Sequence, residues 1–109
     1  MEVVQRHLDG KVAWVTGSSR GLGRAIAGHL ASCGATLVVH GTTFTSTRAF
    51  HEADSLQYVA EQIATTSQVE TLAVNGNLAL PAEVQRMVVE IHARFGRIDI
   101  LVNCAGGDI

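Results

Sequence analysis

The sequence is poor in lysine, cysteine, proline and aromatic residues. Its only lysine is Lys11 and its formal net charge is −2, so no broad positive surface is expected for duplex nucleic acid or an anionic membrane. The two cysteines, Cys33 and Cys104, form neither a CxxC pair nor a zinc-ligand spacing, which argues against a disulfide scaffold and favours a reducing cytoplasm. No apolar run exceeds strand length and no apolar leader follows Met1, so neither a membrane span nor a signal peptide is predicted.

The rest of the composition is typical of a globular protein. The 109 residues, 47% apolar and 17% charged, fit one compact domain with a modest core. Short apolar runs alternate with segments whose apolar side chains recur at helical spacing. The predicted elements are strands at 12–15, 35–39, 69–74 and 98–102 and helices at 22–33, 56–64 and 81–95. This β-α-β-α-β-α-β order predicts an α/β protein with a parallel sheet, right-handed crossovers and helices on both faces.

Three glycines lie between the first strand and the first helix, within residues 15–23. At such a junction, backbone N–H groups and the helix dipole favour an anion. Gly17 permits the tight turn, Gly21 lets the backbone approach a pyrophosphate, and Gly23 lets the helix pack closely on the sheet. A P-loop is excluded because no Lys-Ser or Lys-Thr pair follows the last glycine. A glycine-rich turn without a ligand stays open as the alternative.

Two motifs resemble the signatures of the short-chain dehydrogenase/reductase family: Thr-Gly-x-x-x-Gly-x-Gly at Thr16–Gly23, and Asn-Cys-Ala-Gly at Asn103–Gly106, where the family commonly has Asn-Asn-Ala-Gly. The segments 9–13 and 81–84 are also similar to the family, so the resemblance extends over nearly the whole chain. It is strongest to the 3-oxoacyl-carrier-protein reductase branch. The resemblance implies a Rossmann-type doubly wound parallel sheet, truncated after strand four. It also implies an NAD(P)-dependent oxidoreductase that transfers hydride between the cofactor and a carbonyl or alcohol substrate.

The resemblance further implies which residues contact the dinucleotide. The contacts to the phosphates and ribose would come from Gly17, Ser19, Arg20, Gly21, Leu22 and Gly23. On the adenosine side they would come from Thr42, Asn77 and Leu78, with Asn77 at a position where aspartate is commonest. At the end of strand four they would come from Asn103, Ala105 and Gly106.

The choice between NADP and NAD depends on charge near the second strand. No acidic residue lies between Leu37 and Arg48, where a cofactor with a free 2′-hydroxyl needs a carboxylate. Arg20 supplies a cation, and Thr42 and Thr43 supply hydroxyl donors suited to a 2′-phosphate, so NADP is predicted over NAD. Arg20 as a solvated surface arginine, and the threonine pair as simple turn chemistry, stay open as alternatives.

The family's catalytic serine and Tyr-x-x-x-Lys pair cannot be assigned in this sequence. Tyr58, the only tyrosine, is followed four residues later by Gln62. We therefore predict no catalytic residue in residues 1–109, which correspond to the N-terminal dinucleotide-binding half of a single Rossmann-type domain. The substrate would bind the other half, and the full-length form is expected to be a cytoplasmic homo-oligomer. The alternative is a non-catalytic dinucleotide-binding module.

The five histidines are scattered along the chain and show no metal-ligand spacing. No metal site is predicted from them, and their side chains are expected to be solvated or lightly packed. His40, at the end of the second strand, is the one that lies near the predicted adenosine side.

Overall fold

The computed structural model describes residues 6–42 and 55–105 of the chain. Strands and helices alternate along these residues as predicted. The elements are β1 (Val12–Thr16), α1 (Gly21–Ser32), β2 (Thr36–Gly41), α2 (Leu56–Ser67), β3 (Thr71–Asn75), α3 (Pro81–Phe95) and β4 (Ile100–Asn103). Thr43, which with Thr42 is predicted to supply hydroxyl donors, lies outside the described residues, as does Arg48.

The strands form a parallel sheet in the order β3-β2-β1-β4. Trp14 of β1 lies opposite Val38 of β2 on one side and Leu101 of β4 on the other. This arrangement confirms the predicted α/β class and is the first part of a Rossmann-type doubly wound sheet. The strand order reverses between β1 and β4, and in such sheets ligands bind at that point, outside the carboxyl ends of the strands.

Both faces of the sheet are covered, which is why the strands appear in the sequence as continuous apolar runs. On one face, Val15 and Val39 belong to a core that includes Ala27 of α1 and residues of α2. On the other face, Trp14 belongs to a core that includes Met87 of α3. Burying a side chain of that size stabilises the fold by about 1.5–3 kcal/mol. All five residues of β1 are buried, so the strand that leads into the glycine loop is fixed on both sides.

Local chemistry sets the ends of the elements. The Ser55 hydroxyl accepts a hydrogen bond from the Tyr58 N–H and caps α2. Pro81 begins α3, and Gly96 ends it in the left-handed conformation, at φ +79°. The fourth strand begins at Ile100 and not at residue 98. The Asp99 carboxylate accepts the Val12 N–H at 2.8 Å, which places a side chain where a strand residue would offer its carbonyl.

Residues 6–42 and 55–105 include no helix with the length and apolar character of a membrane span. The same residues contain no cluster of three or more histidine, cysteine, aspartate or glutamate side chains suited to a metal ion. Cys33 and Cys104 are free thiols.

Candidate dinucleotide-binding site

A cleft of about 520 Å³ opens at the carboxyl ends of the strands. Its walls come from the ends of β2 and β4 and from the segments that follow β2, β3 and β4. The residues that line it are His40, Thr42, Asn77, Leu78, Ala79, Asn103 and Ala105. Five of them are residues that the sequence predicts to contact a dinucleotide, while His40 and Ala79 are not. The cleft therefore brings together predicted contacts that are widely separated in the chain.

The glycine loop adjoins this cleft through Gly17, which has φ +66°. A Cβ atom at this position would lie 2.7 Å from the Cα of Ala105, closer than real Cβ contacts allow. The Gly17 N–H donates to Nδ1 of His40 at 2.9 Å. Glycine is thus needed here for the predicted turn and also for the close approach of the loop to the segment after β4.

Gly23 is buried in the first turn of α1, against the loop itself. A Cβ atom there would overlap with the carbonyl oxygen of Gly17 and would lie 2.9 Å from its carbonyl carbon. The prediction that this glycine allows the helix to pack on the sheet therefore needs correction. The close approach is between α1 and the loop that follows β1, because the loop turns back over the start of the helix.

The tip of the loop presents backbone to solvent. Gly21 has φ +60°, and a Cβ atom at this position would meet nothing within 4 Å. Arg20 and Leu22 are exposed, whereas Ser19 is buried. The first turn of α1 carries no acidic residue, so the positive end of the helix dipole is not offset there. This tip is open enough for a phosphate group to reach the backbone.

The Thr16 hydroxyl joins the glycine loop to β4. It donates to Oδ1 of Asn103 at 2.9 Å and accepts from the N–H groups of Cys104 and Ala105 at 3.2 and 3.4 Å. These bonds hold the segment after β4 beside the start of the loop. Gly106, the next residue predicted to contact the cofactor, lies outside the part of the chain that the structure describes.

The adenosine side of the cleft is formed after β2 and β3. Thr42 is exposed there, and Leu78 is half-buried against the core beneath α3. The Asn77 side-chain oxygen accepts the Ala79 N–H at 2.9 Å, which fixes the turn. An amide oxygen has two lone pairs, so one is left to accept a hydrogen bond from a ligand.

His40 differs from its predicted environment. Instead of being solvated or lightly packed, it is 3% exposed. Its Nδ1 accepts the Gly17 N–H and its Nε2 lies 2.9 Å from the Gly76 carbonyl oxygen. Since Nδ1 accepts, the ring is neutral and carries its proton on Nε2, which donates to Gly76. Burial lowers the pKa of His40, and the bond to Gly76 opposes this in part.

The backbone of His40 adds to these contacts. Its N–H donates to Oγ of Ser18, and its carbonyl accepts the Ser18 N–H, both at 2.9 Å. The Ser18 hydroxyl in turn donates to the Val15 carbonyl at 2.7 Å. One sequence signal could have indicated this role: His40 is a polar residue that directly follows the buried run Leu37–Val39, at the carboxyl end of a central strand.

Comparisons with known proteins agree with this geometry. Residues 11–109 match the family described as short chain dehydrogenase. The 3-oxoacyl-acyl-carrier-protein reductase FabG of Aquifex aeolicus is 42% identical over 99 residues, which cover 91% of this chain and 36% of that protein. The hydroxynaphthalene reductase-like protein Arp2 of Metarhizium acridum is 34% identical over 109 residues, covering 99% of this chain and 37% of that protein. The chain thus spans little more than a third of the length of these relatives.

Solved structures show the same likeness. L-Sorbose reductase from Gluconobacter frateurii, complexed with NADPH and L-sorbose, has a TM-score of 0.81 and 34% identity, covering 96% of this chain and 36% of that one. A metagenomic short-chain oxidoreductase in complex with NADP has a TM-score of 0.74 and 34% identity, covering 92% of this chain and 41% of that one. With the two motifs, the strand order and the match over residues 11–109 in agreement, the chain belongs to the short-chain dehydrogenase/reductase family.

Proposed function

We propose that this chain supplies the cofactor-binding half of an NADP(H)-dependent oxidoreductase, which transfers hydride between NADP(H) and a carbonyl or alcohol substrate. The observation that carries the proposal is the convergence of Thr42, Asn77, Leu78, Asn103 and Ala105 on one cleft beside the glycine loop. A dinucleotide is long and has two polar ends, so a site for it needs groups from several strand ends. Residues 1–109 would form the first half of a single Rossmann-type domain.

The glycine loop fits the phosphates of such a cofactor. Gly21 leaves open space where a side chain would otherwise stand, and its positive φ turns the backbone at the exposed tip. The free N–H groups at the start of α1 and the dipole of that helix would attract a pyrophosphate. The Ser18 hydroxyl and the close packing of Gly23 on the Gly17 carbonyl keep the loop in shape from its buried side. Gly23 would also contribute its backbone to the phosphate site, as the resemblance implies.

NADP is favoured over NAD because the end of β2 carries no acidic side chain. His40 and Gly41 are the last residues of that strand and Thr42 follows them, and none of the three carries a carboxylate that would repel a 2′-phosphate. Arg20 is exposed at the loop tip and would pair with the phosphate, with Thr42 as a hydroxyl donor. The NADPH and NADP complexes of the two similar structures support the same choice.

The remaining predicted contacts would orient the two rings of the cofactor. Leu78 would pack against the adenine, and the side-chain oxygen of Asn77 would accept a hydrogen bond from the adenine amino group. Asn103 and Ala105 would lie along the nicotinamide riboside, in positions fixed by the Thr16 hydroxyl. When bound, NADP(H) supplies the hydride chemistry, while these residues contribute binding and orientation.

No residue of this sequence can be assigned as the proton donor of the reaction. Tyr58 is followed by Gln62 and not by a lysine at the fourth position. We therefore propose that the proton donor, the substrate pocket and the contacts of a cytoplasmic homo-oligomer belong to residues other than these 109. The same observation favours a second candidate function, a dinucleotide-binding module without catalysis.

Two measurements on the 109-residue chain test the proposal. Calorimetric titration with NADP+ and NAD+ should show binding of both, with NADP+ bound more tightly. Incubation with NADPH and a panel of 3-oxoacyl esters and small ketones should show no loss of NADPH absorbance. Absence of dinucleotide binding would overturn the proposed site, and clear turnover would mean that a residue of this chain donates the proton.

A further inference from the structure

His40 of β2 lies between two of the segments that form the candidate site. Its ring contacts the start of the glycine loop through Gly17 and the turn after β3 through Gly76, and it also lines the cleft. Among the described residues, the Gly17 N–H and the Gly76 carbonyl form no hydrogen bond with any other side chain. The ring therefore connects the phosphate side of the site to the adenosine side through two hydrogen bonds.

We propose that His40 is a positioning residue for the dinucleotide, whose neutral Nε2–H ring aligns the phosphate loop with the adenosine side of the cleft, so that protonation of this ring weakens cofactor binding. The proposal rests on the proposed function, because it takes the cleft to be a dinucleotide site. His40 would act through Gly17 and Gly76 and would not need to touch the reacting atoms.

The hydrogen-bond chemistry gives the direction of the effect. The Gly17 N–H can only donate, so Nδ1 must stay unprotonated for the 2.9 Å contact to persist. A second proton on the ring would place two donors face to face and force the loop or the ring to move. Gly17 begins the loop that is proposed to hold the phosphates and lies close to Ala105, so a shift of Gly17 would alter that loop.

The surroundings of the ring do not favour its charged form. Both ring nitrogens are bonded to the backbone, so no carboxylate is bonded to either of them. Among the described residues, the ionisable side chains of the glycine loop, α1, α3 and the segment after β4 are Arg20, Arg24, His29, Glu83, Arg86, Glu90, His92, Arg94 and Cys104. Glu83 and Arg86 lie 3.3 Å apart beside Gly76 and offset each other's charge.

Burial lowers the pKa of His40, so the neutral ring is present at neutral pH and is lost in acid. Cofactor affinity should therefore be constant above the ordinary histidine pKa and should fall as the pH falls through the lower pKa of His40 in the folded protein. For one linked proton, the fall is at most about tenfold per pH unit.

Two substitutions separate the two ring contacts. Asparagine places its side-chain oxygen near the position of Nδ1, so His40→Asn keeps an acceptor for the Gly17 N–H but loses the donor to Gly76. Glutamine places its side-chain nitrogen near the position of Nε2, so His40→Gln keeps the donor and loses the acceptor. Neither side chain titrates in this range. His92→Asn, at an exposed histidine of α3, is the matched control.

The experiment measures the NADP+ dissociation constant by calorimetry from about pH 4 to about pH 8, a range that extends below the interval in which an unperturbed histidine titrates. The phosphate groups of NADP+ titrate in the same interval, and this contribution is common to all the proteins. We expect the parent and His92→Asn to lose affinity in acid more steeply than both His40 variants. We also expect His40→Asn to bind more tightly than His40→Gln at the upper end of the range.

Nuclear magnetic resonance of the ligand-free parent supplies a measurement that does not depend on folding of a variant. The His40 ring should show the Nε2–H tautomer, and the Gly17 amide signal should move as the ring is protonated. An Nδ1–H ring, or superimposable pH profiles for the parent and His40→Asn, would overturn the positioning role alone. Absence of NADP+ binding to the parent at every pH would overturn the proposed function and the positioning role together.

Discussion

A single methyl group at position 23 should destabilise the whole chain, because atoms of the glycine loop already occupy that space. In Gly23→Ala, the new Cβ overlaps with the Gly17 carbonyl oxygen and lies 2.9 Å from the carbonyl carbon. These atoms belong to the backbone, so they cannot rotate away as the end of a flexible side chain would. Overpacking of this kind costs about 1–3 kcal/mol.

Gly28, on the same helix, provides the matched control. A Cβ atom there meets nothing within 4 Å, so Gly28→Ala should add only the helix propensity of alanine, about 0.5–1 kcal/mol of stabilisation. The two variants should therefore differ by about 1.5–4 kcal/mol in their free energies of unfolding. At about 4–8 °C per kcal/mol for a domain of this size, their Tm values should differ by roughly 6–30 °C.

Urea unfolding followed by tryptophan fluorescence measures this difference. Trp14 is the only tryptophan and is 4% exposed in β1, so its emission changes when the core opens. The midpoints can be compared directly if the slopes of the two transitions agree. Equal stability of the two alanine variants, or greater stability of Gly23→Ala, would refute the argument that the loop fills this space.

Further predictions concern charge and hydrogen bonding. Arg20→Ala should weaken NADP+ binding by about ten- to a hundredfold, because about 1.5–3 kcal/mol of binding free energy is lost, and should leave NAD+ binding unchanged. Arg24→Ala is the control. Equal losses of affinity for both cofactors in calorimetry would show that Arg20 does not bind the 2′-phosphate. Thr16→Val should lower the free energy of unfolding by about 1–3 kcal/mol, whereas Thr16→Ser should retain most of it in urea unfolding. Hydrogen bonding to Arg97 and Val12 lowers the pKa of Asp99, so its stabilising effect should be present above about pH 4 and be lost as the pH falls through the folded-state value. If an Asp99→Asn variant loses stability at acidic pH to the same extent as the parent, this prediction is contradicted.

The order and type of the elements could be predicted because they depend on residues close together in sequence. Pro81 and Gly96 mark the two ends of α3 by their own backbone preferences, and the structure places the helix between them. Ser55 caps α2 through a bond to a residue three positions later. The apolar runs predicted the strands since both faces of the sheet are covered.

The internal support of the site could not be predicted in the same way. The bonds of His40 to Gly17 and Gly76 join residues 23 and 36 positions apart, and no local periodicity reports on them. The motif indicates that position 23 needs glycine, but the contact of Gly23 with the Gly17 carbonyl depends on how the loop folds back over the helix. Sequence motifs locate the surface that meets a ligand, while the residues behind it become visible only in three dimensions.

The central position of β1 has a consequence for the order in which the chain folds. During synthesis, β1 and β2 are available to pair long before β4 is made, whereas the Thr16 hydroxyl bonds to partners 86 to 89 residues later. Such distant contacts carry the larger loop-closure entropy and form late. We therefore expect the glycine loop to be supported first by β2 through His40 and only afterwards by β4. A dinucleotide that needs both sides would bind only after β4 has docked, and by mass action it would then hold that strand in the sheet.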